Sequence, residues 1–492
     1  MATRSVGSIQ TKVYQVVFGL LFVVLGIYCV QAISSGSTGL FRMVAAIIVL
    51  AGIVLALDRR YWILFVILST VGWSIPNLPF SGMELSWLVV VAIHWMRIAF
   101  HRDASAKLDR GILAAMPFIL WVLLIFCLNP VGLARYGADT MGGRFYFQIF
   151  LSFFAFMAVS SLVFDEKDAK FVFWTLFICC AVSGIRSIIR HEIKNLNEDI
   201  AMGGSSYYLI PMTHVYILCC SRWSLSSILK RPHRLFLFTI SAILSLVSGK
   251  RQMFGRVVLC PLFRVFVTKR DFMLTAFLGL LGLLCVFVAV AGDGTFYTLS
   301  PGVRRSLAIV VPSYKTRSDD GGMDDLFRRE VRKEAYALIR DKPLLGRKGF
   351  AMDFEQTVWQ NTSGKNARNL YAGHAEAGNW HNLYLAYACD FGIPGFVLAM
   401  ILLLYSLNYA YQACRIINTS GYYQACCLFF AFKIFDLAIF GWVSGGSAIS
   451  TYLLFNHLGL LIATVNGFKS SLVRQAENPS LPSPTQILLS NH

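Results

Sequence analysis

About fourteen apolar segments, each close to the length that crosses a bilayer, follow one another along this chain. A spanning helix needs about 20 mostly apolar residues, and it satisfies its backbone hydrogen bonds within the segment. Composition agrees, because only 14% of the 492 residues are charged, against about 25% in soluble domains. We therefore predict an all-α, polytopic membrane protein of about 12–14 transmembrane helices. The candidate spans lie near 13–32, 40–57, 61–78, 84–100, 111–128, 145–164, 170–190, 206–221, 235–249, 253–268, 272–291, 383–409, 422–443 and 447–466.

The formal charge of +18 follows a topological pattern. Basic residues are dispersed between apolar segments instead of forming one patch, which argues against nucleic acid as a partner. Lys and Arg concentrate in cytoplasmic loops, and here they follow the even-numbered spans, for example at Arg59, Arg102, Lys167, Arg222 and Lys269. Both termini are therefore predicted to be cytoplasmic.

This topology leaves one long segment outside the cytoplasm. At about 90 residues it exceeds a simple connection, and loops of this length are usually functional. None of the twelve cysteines falls between Gly292 and His381, so we expect no disulfide framework there. The predicted parts are N-terminal spans (1–250), two further spans (251–291), the large exported loop (292–381), C-terminal spans (382–466) and a polar, Pro/Ser-rich tail (467–492) expected to be disordered in the cytoplasm.

One helix is predicted within the exported loop. Asp324 or Asp325 would cap its start and Pro343 would end it. An apolar stripe repeats at Phe327, Val331, Ala335 and Leu338, while the opposite face carries Arg328, Arg329, Arg332 and Lys333. Simple solvation explains such a charged face, but a helix lying on the membrane surface would bring it to phosphate.

Several arginines break the positive-inside pattern. The segment SGKRQMFGR places Lys250, Arg251 and Arg256 at the outer junction of two spans, and Arg186 lies near the outer end of another. Charge at this depth is costly and usually functional or paired. The arginine fork suits bidentate binding of phosphate oxygens, whereas the plain alternative is snorkelling to lipid headgroups.

The segment WHNLYLAYACDFGIPG, which begins at Trp380, joins the exported loop to an apolar run. His381 titrates close to neutral pH, so it can exchange a proton during a reaction. Gly392 and Gly395 follow about three helical turns later and permit close approach of another backbone or a substrate. The plain alternative is an interfacial histidine above a helix kinked at Gly392, Pro394 and Gly395.

Three motifs resemble the bacterial O-antigen ligase and O-antigen polymerase superfamily. The pattern H-[NSQ]-x9-G-x2-G is filled by His381, Asn382, Gly392 and Gly395. SGKR, with Arg251, resembles the turn that opens the family's C-terminal region. Arg328 followed by Pro343-Leu344-Leu345-Gly346 resembles the family's arginine and Pro-Leu-Leu-Gly motif in the exported loop.

The resemblance implies a GT-C-like glycosyltransferase of the bacterial inner membrane with a periplasmic loop. It implies inverting transfer, without metal or cofactor, from a polyprenyl-diphosphate-linked glycan to a hydroxyl of another glycan or of lipid A–core. His381 would be the general base, and Arg251 and Arg328 would hold the diphosphate, with Arg304 and Arg305 as competitors for the loop position. Asn382, Arg256, Arg186, Gly392 and Gly395 would contact the substrate, and membrane lipids would be further partners.

Three alternatives remain open at this stage. A transporter or flippase of lipid-linked sugars would also need outer arginines, although no internal repeat is visible; a structural scaffold is the other. A metal site would fall on His374, Glu376 and His381, because the predicted outer loops contain no Asp-x-Asp. Within the transferase class, a single dominant loop and the absence of paired Arg-x10-Gly motifs favour ligase over polymerase.

Overall fold

The computed structural model describes residues 63, 67, 82–100, 109–129, 143–194, 210–247, 251–299, 303, 304, 307, 311–315, 319–347, 380, 382–418, 421–442 and 446–477. Throughout these ranges the regular structure is helical and no β-strand forms. The all-α prediction is therefore confirmed.

We number the α-helices of the described ranges in chain order. They are α1 (Gly82–Phe100), α2 (Arg110–Leu128), α3 (Gly143–Ser160), α4 (Glu166–Lys194), α5 (Ile210–Arg222), α6 (Leu225–Leu229), α7 (Pro232–Val247), α8 (Arg251–Thr268), α9 (Phe272–Gly292), α10 (Asp319–Asp341), α11 (Leu383–Ile416), α12 (Tyr422–Phe440) and α13 (Ser447–Glu477).

Six of these helices are long and apolar enough to cross a membrane, namely α2, α4, α9, α11, α12 and α13. Apolar stretches of α1, α3 and α7 are shorter. Helices α5 and α8 occupy predicted spans but are not long and apolar enough to be counted with these six, because α5 has 13 residues and the 18 residues of α8 include three arginines, Arg251, Arg256 and Arg264. The first three predicted spans lie outside the described residues, apart from Ile63 and Ile67. The polytopic prediction is confirmed, and the number of spans stays a prediction.

Helix α13 lies at the centre of the bundle and packs against α3, α11 and α12. Large aromatic side chains fill this centre, and Phe455 of α13 stacks on Phe156 of α3 with 5.4 Å between ring centroids. Lipid tails are as apolar as these side chains, so close van der Waals packing, more than hydrophobic transfer, stabilises helix association here.

Two helix ends differ from the sequence predictions. Helix α13 continues to Glu477, whereas a disordered tail was predicted from 467; Gly467 and Phe468 are buried, and nothing breaks the helix until Asn478 precedes Pro479. Helix α10 begins at Asp319, five residues before the predicted cap, and runs through Gly321 and Gly322. The helix begins with two acidic residues, Asp319 and Asp320. A negative charge at a helix N-terminus interacts favourably with the helix dipole, and this offsets the low helix propensity of the two glycines.

Candidate active site

The start of helix α11 is fixed by a side-chain cap. The Oδ1 atom of Asn382 accepts hydrogen bonds from the backbone N–H groups of Tyr384 (3.0 Å) and Leu385 (3.1 Å). These bonds satisfy two of the donors that every helix N-terminus leaves free. Leu383 N–H donates to Gly441 O, just beyond α12, at 2.7 Å. Asn382 therefore has a structural role, and His381, directly before it, lies outside the described residues.

Helix α11 is broken at Gly392, as the plain reading of its Gly/Pro pattern predicts. The backbone there has φ 71° and ψ 178°, a conformation that is essentially restricted to glycine. Pro394 removes a further backbone donor. Trp121 of α2 satisfies one of the freed carbonyls, since its indole N–H donates to Phe391 O at 2.9 Å. Gly395 lies beside the same indole.

The turn Pro343–Gly346, which follows α10, docks directly onto this break. Ile393 N–H donates to Pro343 O at 2.7 Å, and Arg347 N–H donates to Cys389 O at 2.8 Å. Gly346 also has a positive φ of 58°. A Cβ atom on Gly346 would overlap Cys389 O, and one on Gly392 would overlap Leu344 O. We call this pair of backbone contacts the turn–kink junction; it joins two of the motifs on which the family resemblance rests.

A buried ion pair reinforces the turn–kink junction. Arg347 Nε donates to Asp390 Oδ1 at 2.7 Å, and Ser447 Oγ of α13 donates to Asp390 Oδ2 at 2.5 Å. The Asp390 side chain is almost completely buried. Removing one partner of such a pair leaves a buried charge uncompensated, which is strongly destabilising. Asp390 and Arg347 are absent from the sequence-based set, although a carboxylate inside an apolar run is a signal of a functional or paired residue.

The predicted apolar stripe of α10 packs against α11. Val331 and Ala335 are buried in one cluster with Trp380, Ala386 and Cys389. Position 328 lies three and seven residues before Val331 and Ala335, so it falls on the packed side of α10 and not on the opposite face with Arg329, Arg332 and Lys333 as predicted; the Arg328 side chain is outside the described set. The stripe prediction is thus confirmed for its described members.

Four polar side chains from α5, α8 and α12 meet inside the bundle. Arg256 Nε donates to Asp436 Oδ1 at 2.6 Å, and Lys433 Nζ lies 3.5 Å from Asp436 Oδ2. Lys433 also contacts His214 Nε2 at 3.1 Å. His214 Nδ1 faces Ile210 O at 3.2 Å, which fits a neutral imidazole that donates from Nδ1 and accepts at Nε2. We call these four residues the three-helix charge cluster.

His214 and Asp436 share a partner, Lys433. His457, another buried polar residue, forms a hydrogen bond within its own helix, between Nδ1 and Leu453 O at 2.6 Å.

Arg304 is held by an acid at the end of α9. Its Nε and Nη2 atoms donate to the two carboxylate oxygens of Asp293 at 2.8 and 2.6 Å. Leu299 N–H donates to the same carboxylate at 3.0 Å. These donors lower the pKa of Asp293 well below its usual range, and the pKa of Arg304 is raised in return. Bidentate pairing occupies the atoms with which Arg304 would bind phosphate.

The other predicted site residues are distributed as follows. Arg251 is the first residue of α8, but its side chain is not among those described. Arg186 is exposed on α4. Arg305 and the residues of the alternative metal site, His374, Glu376 and His381, fall outside the described residues.

The described residues from 380 to 383 lie where four helices converge. Trp380 packs on α10, Asn382 caps α11, and Leu383 is bonded to the end of α12. Arg256, in the second turn of α8, places its guanidinium 5.4 Å from the centroid of the Phe440 ring at the same end of α12.

Comparison with known families identifies part of this arrangement. Residues 235–400 match the family model described as O-antigen ligase. This part of the chain is similar to the O-antigen ligase family. A search of curated proteins finds no match to the chain. We call residues 235–400 the ligase-family region.

The ligase-family region begins inside α7 and ends inside α11, so it contains the turn–kink junction and α10. It also contains Arg256 and Asp390, whose partners Asp436 and Ser447 lie beyond it. The match supports O-antigen ligase-like glycosyl transfer by a multi-pass membrane protein.

Proposed function

We propose that the protein is an inverting, metal-independent glycosyltransferase of the bacterial inner membrane. It transfers a glycan from a polyprenyl-diphosphate carrier to an acceptor hydroxyl at the periplasmic end of the bundle. Both termini are cytoplasmic in this proposal, following the basic residues of the short loops. The observation that carries the proposal is the convergence of α8, α10, α11 and α12 around residues 380–383, within or beside the ligase-family region.

His381 is the proposed general base. A base at this position takes the proton of the acceptor hydroxyl as the new glycosidic bond forms, while the bond from the sugar to the diphosphate breaks. Asn382 supports the proposal, because its cap fixes the start of α11 directly after the histidine. Nearby arginines would disfavour the cationic imidazole, which suits a base.

Arg251 and Arg328 are the proposed diphosphate ligands. Cationic forks stabilise the negative charge that develops on the leaving diphosphate. Two observations favour Arg328 over Arg304 for the loop position. Arg304 already donates Nε and Nη2 to Asp293, and position 328 shares the register of the α10 face that packs on α11. Arg256 is paired with Asp436, so we assign it a supporting role.

The proposal predicts selective loss of transfer in two variants. His381→Ala should lower the rate by about 10²–10⁴-fold, the usual contribution of a positioned base, and Arg251→Ala by about 10²–10³-fold. His233→Ala and Arg231→Ala change exposed residues elsewhere and serve as matched controls. The measurement is transfer by purified protein in nanodiscs, with thermal unfolding as a check on folding. Near-normal transfer by a folded variant would remove that residue from the site.

The acceptor is decided by mass spectrometry of polyprenyl-diphosphate-linked glycans from cells that lack the protein. Full-length chains on the carrier would identify a ligase, and single repeat units would identify a polymerase. Material confined to the cytoplasmic leaflet would contradict the transferase and indicate a flippase of lipid-linked sugars.

A further inference from the structure

Helix α10 presents an exposed basic stripe on the side opposite to its packed face. Counted from the first, its members follow at three, four, seven and eleven residues, which places them on one side of a helix. We call this the α10 basic stripe; it consists of Arg329, Arg332, Lys333, Tyr336 and Arg340.

Charge is segregated around this helix. Glu334 and Asp341 are exposed but lie on another flank, because successive residues are about 100° apart around a helix, which turns Glu334 away from Lys333 and Asp341 away from Arg340. Arg340 forms an exposed contact with Asp341 at 3.3 Å, and such surface pairs contribute little.

The turn–kink junction sets the level of α10 relative to the membrane. Helix α12 has 19 residues, or about 28 Å, just enough to cross a hydrocarbon core of about 30 Å. Leu383 is bonded to Gly441 at the end of α12, so the start of α11 lies at that membrane boundary. Cys389, where the turn docks, lies six residues further along α11, about 9 Å toward the membrane interior.

Two exposed apolar groups at this level point to lipid as the neighbour. Leu344 in the docked turn is 68% exposed, and Tyr336 in the stripe is 60% exposed. Aromatic residues with a polar tip are enriched at membrane interfaces. Long Arg and Lys side chains next to such groups can lay their methylene stems along apolar surface and extend outward to the lipid phosphates.

We propose that the α10 basic stripe binds the phosphate groups of anionic phospholipid headgroups at this end of the bundle. Charge complementarity and the depth of the turn–kink junction together select a lipid surface. The contact would lay α10 against the bilayer and hold the exported segment over residues 380–383. The inference concerns membrane attachment, so it is separable from the proposed transfer reaction.

The test compares full-length protein in nanodiscs of phosphatidylcholine with protein in discs containing about one third phosphatidylglycerol. Amide hydrogen exchange across residues 329–342 should be slower in the anionic discs by at least about tenfold, the effect of two or three cations at an anionic surface. High salt should remove most of the difference, because exposed charges are screened. Arg329→Glu combined with Arg332→Glu should abolish it.

The matched control is Lys230→Glu combined with Arg231→Glu, an equal change of charge at exposed residues between α6 and α7. This variant should keep the lipid effect on α10. Equal exchange of the wild-type protein in both kinds of disc would overturn the proposal. Full protection of the stripe by inorganic diphosphate in neutral discs would also overturn it and assign the stripe to a soluble anion.

Discussion

At the scale of single residues, Gly392 and Gly346 allow the turn that follows α10 to pack against helix α11. Each has a positive φ, and each would place a Cβ atom on the backbone of the other's segment. A Cβ atom at position 392 would overlap Leu344 O, and this explains why the fold requires glycine eleven residues after His381. No side-chain chemistry is needed to account for Gly392.

Gly392→Ala should therefore destabilise the protein by about 1–3 kcal/mol from backbone strain, with an added cost from the overlap with Leu344 O. Thermal unfolding in nanodiscs measures the effect. Gly279→Ala is the control, because a Cβ there meets nothing within 4 Å in the middle of α9. Equal stability of the Gly392 variant and wild type would contradict the geometry of the junction.

Asp293 makes a pH-dependent contribution through Arg304. Its pKa is lowered in the folded protein, so the stabilisation is complete above the unfolded-state pKa of about 3.9. It is lost as the pH falls from there through the lower folded-state pKa. The difference in unfolding temperature between wild type and Asp293→Asn should be constant near neutral pH and shrink below about pH 4. A difference that does not change on acidification would show that the ion pair is not the cause.

At the scale of elements, α13 is longer than hydropathy indicates. Its turn around residues 466–468 extends beyond the predicted span but remains packed. Phe468 lies edge-on to Tyr423 at 5.7 Å between centroids, and Asn466 Nδ2 donates to Ser160 O at 3.2 Å. Hydropathy detects the apolar span, whereas helix length also depends on side chains that pack beyond it.

Truncation distinguishes the end of the apolar span, near residue 466, from the end of the helix at Glu477. A chain ending after Glu477 should unfold at the wild-type temperature, because it retains the whole helix. A chain ending after Asn466 loses the buried Phe468 and should be less stable by about 3–5 kcal/mol, as for removal of a large core side chain. Thermal unfolding in the same nanodiscs compares the two. Equal losses from both truncations would contradict this account.

Local pattern was enough to predict the all-α class, the apolar stripe of α10 and the break in α11, because each depends on neighbours within a few residues. The turn–kink junction was not predicted, because it joins segments more than 40 residues apart in sequence, and each backbone group found its partner only in three dimensions. The ion pair of Arg256 with Asp436 and that of Arg304 with Asp293 were missed for the same reason. An unpaired arginine and one held by an acid look identical in sequence, and the acids here are Asp436 and Asp293.

At the scale of the whole molecule, the three-helix charge cluster connects the ligase-family region to the helices outside it. Arg256 lies within residues 235–400, while His214 precedes them and Lys433 and Asp436 follow. Two cations face one carboxylate, so Asp436 limits the excess positive charge inside the bundle. Charge within the membrane is stable only when it is paired in this way.

Asp436→Leu should accordingly destabilise the protein by about 3–5 kcal/mol, since it leaves both cations without their carboxylate. Adding Arg256→Met returns the cluster to its original net charge and should recover most of that loss. Thermal unfolding of the two single variants and the double variant measures the coupling. Additive effects would contradict a direct ion pair, and Asp341→Leu, at an exposed acid, controls for loss of a carboxylate alone.

Helix α9 differs from every other long apolar helix of the described chain in how little of it is covered. Only 6% of its most apolar window is buried, against 83% for α13. Selection on α13 acts through neighbouring side chains, so nearly every substitution there is felt by a partner. Side chains of α9 mostly face away from the rest of the protein. A lipid hydrocarbon core accepts apolar side chains of any shape, so only their hydrophobicity is constrained. Among relatives, residue identity in α9 should vary widely while its hydrophobicity is kept. A mutational scan should record almost no loss of stability for exchanges between apolar residues along α9.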